Sequence, residues 1–204
     1  MPEKNKSETV KPKIKPGSKS TMVSKTEPKA ESKSERLESG FYTRDVLTVA
    51  PELLGKFLVR KLPSGELLKY RITETEAYRG VEDTACHAKA GKTKRTAVMF
   101  EEGGRSYIYL CYGIHYLLNI VTGEREVPQA ALIRGVDGFD GPAKLTKAMQ
   151  IGKELNAIDL TESDEMWIED DGFVPEFFTT KRIGINYATE PYKSIEWRYV
   201  LKNK

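Results

Sequence analysis

Glu74 and Glu76 stand two positions apart in the run 67–78 (LLKYRITETEAY), and they are the pair in this chain best suited to acid–base chemistry. Read as a strand, the run places Tyr70, Ile72, Glu74, Glu76 and Tyr78 on one face. Carboxylates so spaced lie roughly 7 Å apart. If partly buried, each disfavours ionisation of the other, and one could hold a raised pKa suited to proton transfer. The spacing equally allows both to be solvated on an open sheet face, which is the plainer arrangement.

Other polar residues in the same region need a reason to be there. His87 sits in a polar loop, with Cys86 beside it reading as a packing residue. His115 falls at a turn, where a surface role is the default. Tyr107, Tyr109, Tyr112 and Tyr116 crowd the run 106–122 (SYIYLCYGIHYLLNIVT), which Gly113 interrupts. That interruption predicts two strands meeting at a tight turn near 112–115. Alternation puts Tyr107 and Tyr109 on one face and Tyr112 on the other, near the tip. Cross-strand packing explains such aromatics in an ordinary sheet. An aromatic at a protruding tip can also wedge between base pairs, and aromatics on a sheet can sandwich a base. Arg134 lies inside the apolar run 130–136, where an unpaired charge is costly, so it calls for a carboxylate; Glu76 and Glu74 are the candidates. Asn119, among Leu117, Leu118 and Ile120, likewise needs a partner or a ligand.

The elements that must position these residues read as follows. Residues 45–55 predict a short helix, with Thr48 as its cap, Pro51 in its first turn and Gly55 at its stop. Residues 56–62 and 67–78 form a hairpin about the turn 63–66. Residues 79–98 are a loop carrying Lys89, Lys92, Lys94 and Arg95. Residues 130–136 are a strand, 142–155 a helix begun by Pro142, and 159–176 acidic and irregular. Residues 182–187 and 197–201 predict closing strands. The fold class is α+β: one mixed α/β domain with a curved, mainly antiparallel sheet and a protruding β-hairpin.

Composition confines this domain to part of the chain. Only 39% of the 204 residues are apolar, and the shortfall sits at one end. Residues 1–36 contain no aromatic and repeat Lys, Ser, Pro and Glu, so they predict a disordered basic tail ahead of a domain over 37–204. The tail holds ten cationic residues against five Glu, a net charge of +5, so the rest of the chain carries 3 − 5 = −2. Bulk charge therefore does not draw the folded part to nucleic acid; local clusters or the tail would have to do so. The two cysteines, Cys86 and Cys111, lie in no zinc spacing, so neither metal nor disulfide is expected. No apolar run approaches the ~20 residues that span a bilayer. The start of the chain lacks a signal-peptide core, which points to an intracellular protein with no membrane partner.

Several short motifs in a fixed order then identify a relationship. They are Leu53-Leu-Gly-Lys-Phe-Leu-Val-Arg60, Glu74-Thr-Glu-Ala-Tyr78, Glu82-Asp83, His87, Met99-Phe100, Tyr107-Ile-Tyr109 and Tyr112-Gly113. They continue through Asn119-Ile120, Leu132-Ile-Arg134, Gly141-Pro-Ala-Lys-Leu145 and Arg182-Ile-Gly184. In order and spacing these resemble the alkyladenine (3-methyladenine) DNA glycosylase family over nearly all of residues 41–201, with the tail outside.

The resemblance implies roles that spacing alone does not supply. Glu76 matches the base that activates the attacking water, with the side chain of Arg134 and the main-chain carbonyl of Ile183 as the other groups holding it. Tyr78, His87 and Tyr109 match residues that stack on a flipped purine. Asn119 matches a pocket residue that hinders the amino group of normal guanine. Tyr112 matches the wedge that fills the gap in the duplex, with Gly113 and His115 beside it at the hairpin tip. His115 departs from the apolar residue expected there. Lys92, Lys94, Arg95 and Arg105 are candidates for phosphate contacts. The family implies a monomer acting on double-stranded DNA, with no metal and no cofactor. It would work in the cytoplasm or nucleoid of a bacterium or the nucleus of a eukaryote. An alkylated purine leaves readily because it is cationic, so a positioned water and a pocket suffice, and no Schiff-base lysine is required. Three rival functions remain open: a non-catalytic nucleic-acid-binding module, a general RNA-binding protein, and a nucleoside hydrolase using Glu74 and Glu76 as an acid/base pair.

Overall fold

The computed structural model describes residues 34–202, and the tail assignment over 1–33 lies outside them. The strands are β1 (Glu35–Arg36), β2 (Phe57–Lys61), β3 (Leu67–Arg79), β4 (Ser106–Cys111), β5 (His115–Thr122), β6 (Gln129–Val136), β7 (Phe139–Asp140), β8 (Met166–Asp170), β9 (Phe177–Thr180) and β10 (Arg198–Leu201). The helices are α1 (Ser39–Tyr42), α2 (Val46–Glu52) and α3 (Pro142–Ala148), with short 3₁₀ turns at His87–Ala90, Ala97–Phe100 and Lys153–Leu155. The strands make one large, open antiparallel sheet in the order β1-β8-β2-β3-β6-β5-β4, and β10 joins β3 to β9. The mixed, mainly antiparallel fold is as expected.

The thirteen-residue β3 is its spine. Its first half pairs with β2, and its second half lies between β6 and β10. Midway, the register with β6 slips: Ile72 faces Val136, Glu74 faces Gly135 and Thr75 faces Ile133. This bulge inverts the face pattern. Tyr70 and Ile72 pack on the main core, and so does Ala77, whereas Glu74, Glu76 and Tyr78 turn to the opposite side. The expectation that all five even-numbered residues share one face is corrected accordingly. Gly135 fits the crowding at the slip, since a Cβ there would lie 3.0 Å from the Thr73 hydroxyl.

One sheet face carries the core. Val46, Val49 and Ala50 of α2 and Leu145 of α3 bury against Leu118, Ile120, Ala131 and Ile133. Asn119 and Val121 of β5 and Ala130, Leu132 and Arg134 of β6 therefore point away from that core. A second apolar cluster, including Cys86, Met99, Tyr107 and Val121, supports that other face.

Several predicted boundaries move. Asp45, not Thr48, caps α2 by accepting from Leu47 N–H at 2.9 Å, and Pro51 falls in its last turn rather than its first. Helix α3 ends at Ala148, because Gln150 turns left-handed at φ 50°, so only a 3₁₀ turn follows before Leu155. Residues 159–176 contain β8, which pairs with β1 and β2. Residues 182–187 are a loop rather than a strand; β9 precedes it and supplies the pairing for β10. Glu35 and Arg36, assigned to the tail, form β1 instead, and Arg36 donates to the Thr161 carbonyl at 3.2 Å.

Candidate active site

A row of paired positions crosses the sheet. Tyr107 on β4 faces Asn119 on β5, Asn119 faces Leu132 on β6, Leu132 faces Glu76 on β3, and Glu76 faces Arg198 on β10. At about 4.8 Å per strand, the row is roughly 19 Å long. Residues 74 to 134 of the sequence thus converge because four adjacent strands present the same side.

Glu76 is at the buried centre, with 0% exposure. Its Oε1 accepts the Ile183 N–H at 2.7 Å and lies 3.4 Å from Nη1 of Arg134. Its Oε2 accepts the Tyr78 hydroxyl at 2.8 Å. Glu74 is held more tightly: Arg134 Nε at 2.8 Å and Arg198 Nε at 2.6 Å both donate to its Oε1. Burial pushes both carboxyls up. For Glu74 the hydrogen bonds and charges of Arg198 and Arg134 outweigh burial, and its pKa ends below the ordinary carboxylate range. For Glu76 burial prevails over Arg134, the Ile183 N–H, Tyr78 and Arg182, so its pKa ends above it. The two carboxylates are thus driven apart, and the charge partner expected for Arg134 is both of them.

Beside Glu76 the aromatics enclose a cavity. Tyr78, His87, Met99, Tyr107, Tyr109 and Asn119 line a space of about 30 Å³, room for a water or two but not a purine. His87 lies edge-on to Tyr109, ring centres 4.6 Å apart, and its Nδ1 is 2.9 Å from the Tyr107 hydroxyl. Burial, and then the Arg95 cation, lower the His87 pKa to about 4. Asn119 donates to the Tyr107 carbonyl at 3.0 Å, which supplies the partner its apolar surroundings demand. The cavity opens on a cleft of about 430 Å³, walled by Tyr112, Arg134 and Ile183 among others.

The hairpin of β4 and β5 turns through Tyr112–Ile114, and Tyr112 stands 90% exposed. Its φ of 50° is a left-handed conformation that a bulky residue adopts at a cost of about 1–3 kcal/mol, and such strain collects at functional positions. Gly113 continues the turn at φ 73°.

The remaining basic residues are placed differently. Arg95 turns inward: its guanidinium is 3.2 Å from His87 Nε2 and lies over the Tyr109 ring at 5.2 Å. Lys92 pairs with Glu126 at 2.5 Å and Arg105 with Asp159 at 3.4 Å, while Lys94 is exposed. His115 is exposed and borders α3, not the aromatic cavity.

Sequence reasoning gave no role to a buried ion pair that holds the site's back wall. Arg182 and Asp83, both without exposed side-chain surface, meet at 2.6 Å. Arg182 also donates to the Ala77 and Tyr192 carbonyls and lies behind the Tyr78 ring at 4.8 Å. Its neighbour Ile183 is thereby set against Glu76. Tyr107, Tyr187 and Arg198 were also given no part in a site. Only Tyr107 carried a signal, through its shared face with Tyr109.

The family model for methylpurine-DNA glycosylase (MPG) matches residues 40–140 and 137–204. A protein of Borreliella burgdorferi named "Putative 3-methyladenine DNA glycosylase" is 41% identical over 177 residues, covering 80% of this chain and 94% of its own. Proteins of the same name from Clostridium perfringens and Methanocella arvoryzae are 39% and 41% identical, covering 82% of this chain and 96% and 92% of their own lengths. With matched motifs, a buried carboxylate beside an aromatic cavity and relatives of this kind, the chain belongs to the methylpurine-DNA glycosylase family and is a DNA glycosylase.

Proposed function

We propose that the protein flips alkylated or deaminated purines, of the 3-methyladenine, 7-methylguanine and hypoxanthine type, out of duplex DNA and hydrolyses their glycosidic bond with one water. The observation that carries this reading is Glu76: a carboxylate with raised basicity, oriented through both oxygens, directly behind an aromatic cavity.

The chemistry follows from the placement. The C1′–N bond breaks with its electron pair leaving on the purine, and the sugar gains oxocarbenium character. A water oxygen bonds to C1′ while Glu76 takes its proton. Glu76 Oε2 accepts from the Tyr78 hydroxyl and retains a second lone pair, which can accept from a water that enters with the nucleotide. Arg134 and the Ile183 carbonyl complete the set of groups that hold that water. The carboxylate also favours the developing positive sugar. Near neutral pH His87 is uncharged, so it stacks without repulsion on a cationic purine that enters from the 430 Å³ cleft, which His87, Tyr78 and Tyr109 all line. Asn119 sits where it crowds the amino group of guanine. Flipping costs a few kcal/mol and least for damaged pairs; Tyr112 fills the vacated space and slows the return. Gly113 and His115 lie beside the groove, and Lys94, Arg95 and Lys92 contact phosphates, Lys92 after exchanging its exposed pairing with Glu126, worth at most about 1 kcal/mol. The reaction needs no metal, cofactor or lysine adduct, and it leaves the strand intact at an abasic site. The enzyme acts as a monomer inside the cell.

The test is a panel of duplexes, each with one modified purine, analysed for free base and for strand scission. Free base with an unbroken abasic strand is expected for alkylated or deaminated purines. Free base from isolated nucleosides and none from duplex would overturn the reading.

A further inference from the structure

Tyr187 is given no part by the resemblance, yet three cavities meet at it. It lines the aromatic cavity with Tyr78, His87 and Asn119, and the outer cleft with Arg134 and Ile183. It also borders a flanking basin of about 590 Å³ with Thr84 and Arg95. The residue is 67% exposed, but it is held at both ends. The hydroxyl donates to the carbonyl of buried Ala85 at 3.0 Å. The loop that carries it is anchored by Arg182 on Asp83 and by the Ile183 N–H on Glu76, and Ile185 packs on Ala85 and Ala188. An exposed tyrosine ordinarily samples several rotamers and loses that freedom on binding. The bond to Ala85 restricts this ring, so contact with a ligand costs less further entropy.

The level of the ring in the site indicates what it touches. Met99 and Asn119 line the aromatic cavity but not the outer cleft, whereas Arg134 and Ile183, the partners of Glu76, line the outer cleft. Tyr187 lines both. Tyr78, His87 and Tyr109 also line both, so Tyr187 stands with them where the aromatic cavity opens on the outer cleft. We infer that Tyr187 is a contact residue for the everted nucleotide, its ring closing the outer side of the base slot. The inference rests on the base-flipping reading above.

The experiment is single-turnover base release from a lesion duplex that the wild-type enzyme cleaves, as a function of enzyme concentration. Tyr187→Ala and Tyr187→Phe are compared, with binding to undamaged duplex alongside. Losing an aromatic contact to a nucleotide predicts a half-saturating concentration about tenfold higher for Tyr187→Ala. Its maximal rate should stay within about threefold of wild type, and its undamaged-duplex affinity should not change. Tyr187→Phe keeps the ring and should fall less than threefold. An unchanged half-saturating concentration, an equal loss on undamaged duplex, or a loss in maximal rate alone would overturn the inference. Failure of the wild-type enzyme to release free base would instead overturn the base-flipping reading itself.

Discussion

Glu76 keeps its basicity because burial outweighs its partners, and Glu74 takes the closer contact with Arg134. The 2.8 Å contact goes to Glu74 and the 3.4 Å contact to Glu76, and Arg198 adds to Glu74 alone. This arrangement also removes Glu74 as a proton donor: with its pKa below the usual range, it is ionised at neutral pH. That argues against an acid/base pair of the nucleoside-hydrolase kind. Glu74→Gln removes a neighbouring negative charge from Glu76 and frees Arg134 for it. Both effects lower the Glu76 pKa, so the acid limb of the single-turnover rate should move to lower pH and the plateau rate should fall. A limb that moved up would contradict the division of labour. Stability has the opposite dependence on the Glu76 proton. A carboxyl whose folded pKa is raised binds its proton more tightly in the folded state, so stability declines as pH rises from its unfolded pKa through the raised one. The ionised form needed for catalysis is held at some cost to the fold.

The hairpin and the β3 bulge are the elements that turn these residues into a site. Tyr112 adopts a strained φ and stands out from the surface, which suits a wedge. Tyr112→Ala should weaken binding to duplex carrying the abasic product by about tenfold, within the 1–3 kcal/mol of a lost stacking contact, with little change in thermal stability. Gel-shift or anisotropy titration gives the number, and an unchanged affinity would exclude the wedge. At this scale the sequence is legible in part. The hairpin showed itself through Gly113 within an apolar run, and Arg134 and Asn119 through polar side chains in apolar strands. The bulge did not, because period-two alternation says nothing of a slipped register that depends on which strand lies alongside. Asp45 and Thr48 are both good cap types, and only the backbone geometry decides between them. The contact of Ile183 N–H with Glu76 was hidden too, since a backbone donor carries no signature of residue type.

Across the whole molecule, residues distant in the chain hold the site in register. Arg182 and Asp83, 99 positions apart, join the C-terminal loop to the segment after β3. Neither charge has solvent to fall back on. Removing only one partner of such a pair typically costs 3–5 kcal/mol, so Arg182→Ala should lower the denaturation midpoint sharply by urea titration. A double change to Arg182→Met and Asp83→Leu should recover part of that loss, and a single variant as stable as wild type would show the pair to be idle. Aromatic side chains line the cleft with Arg95 and Arg134, while the core lies on the other face of the sheet. The most direct test of Glu76 as the general base is Glu76→Gln, measured for single-turnover base release and for binding to the same lesion duplex. A fall in rate of about 10²–10⁴-fold is expected, as for a lost general base, with affinity kept near wild type. Base release at the wild-type rate would contradict it.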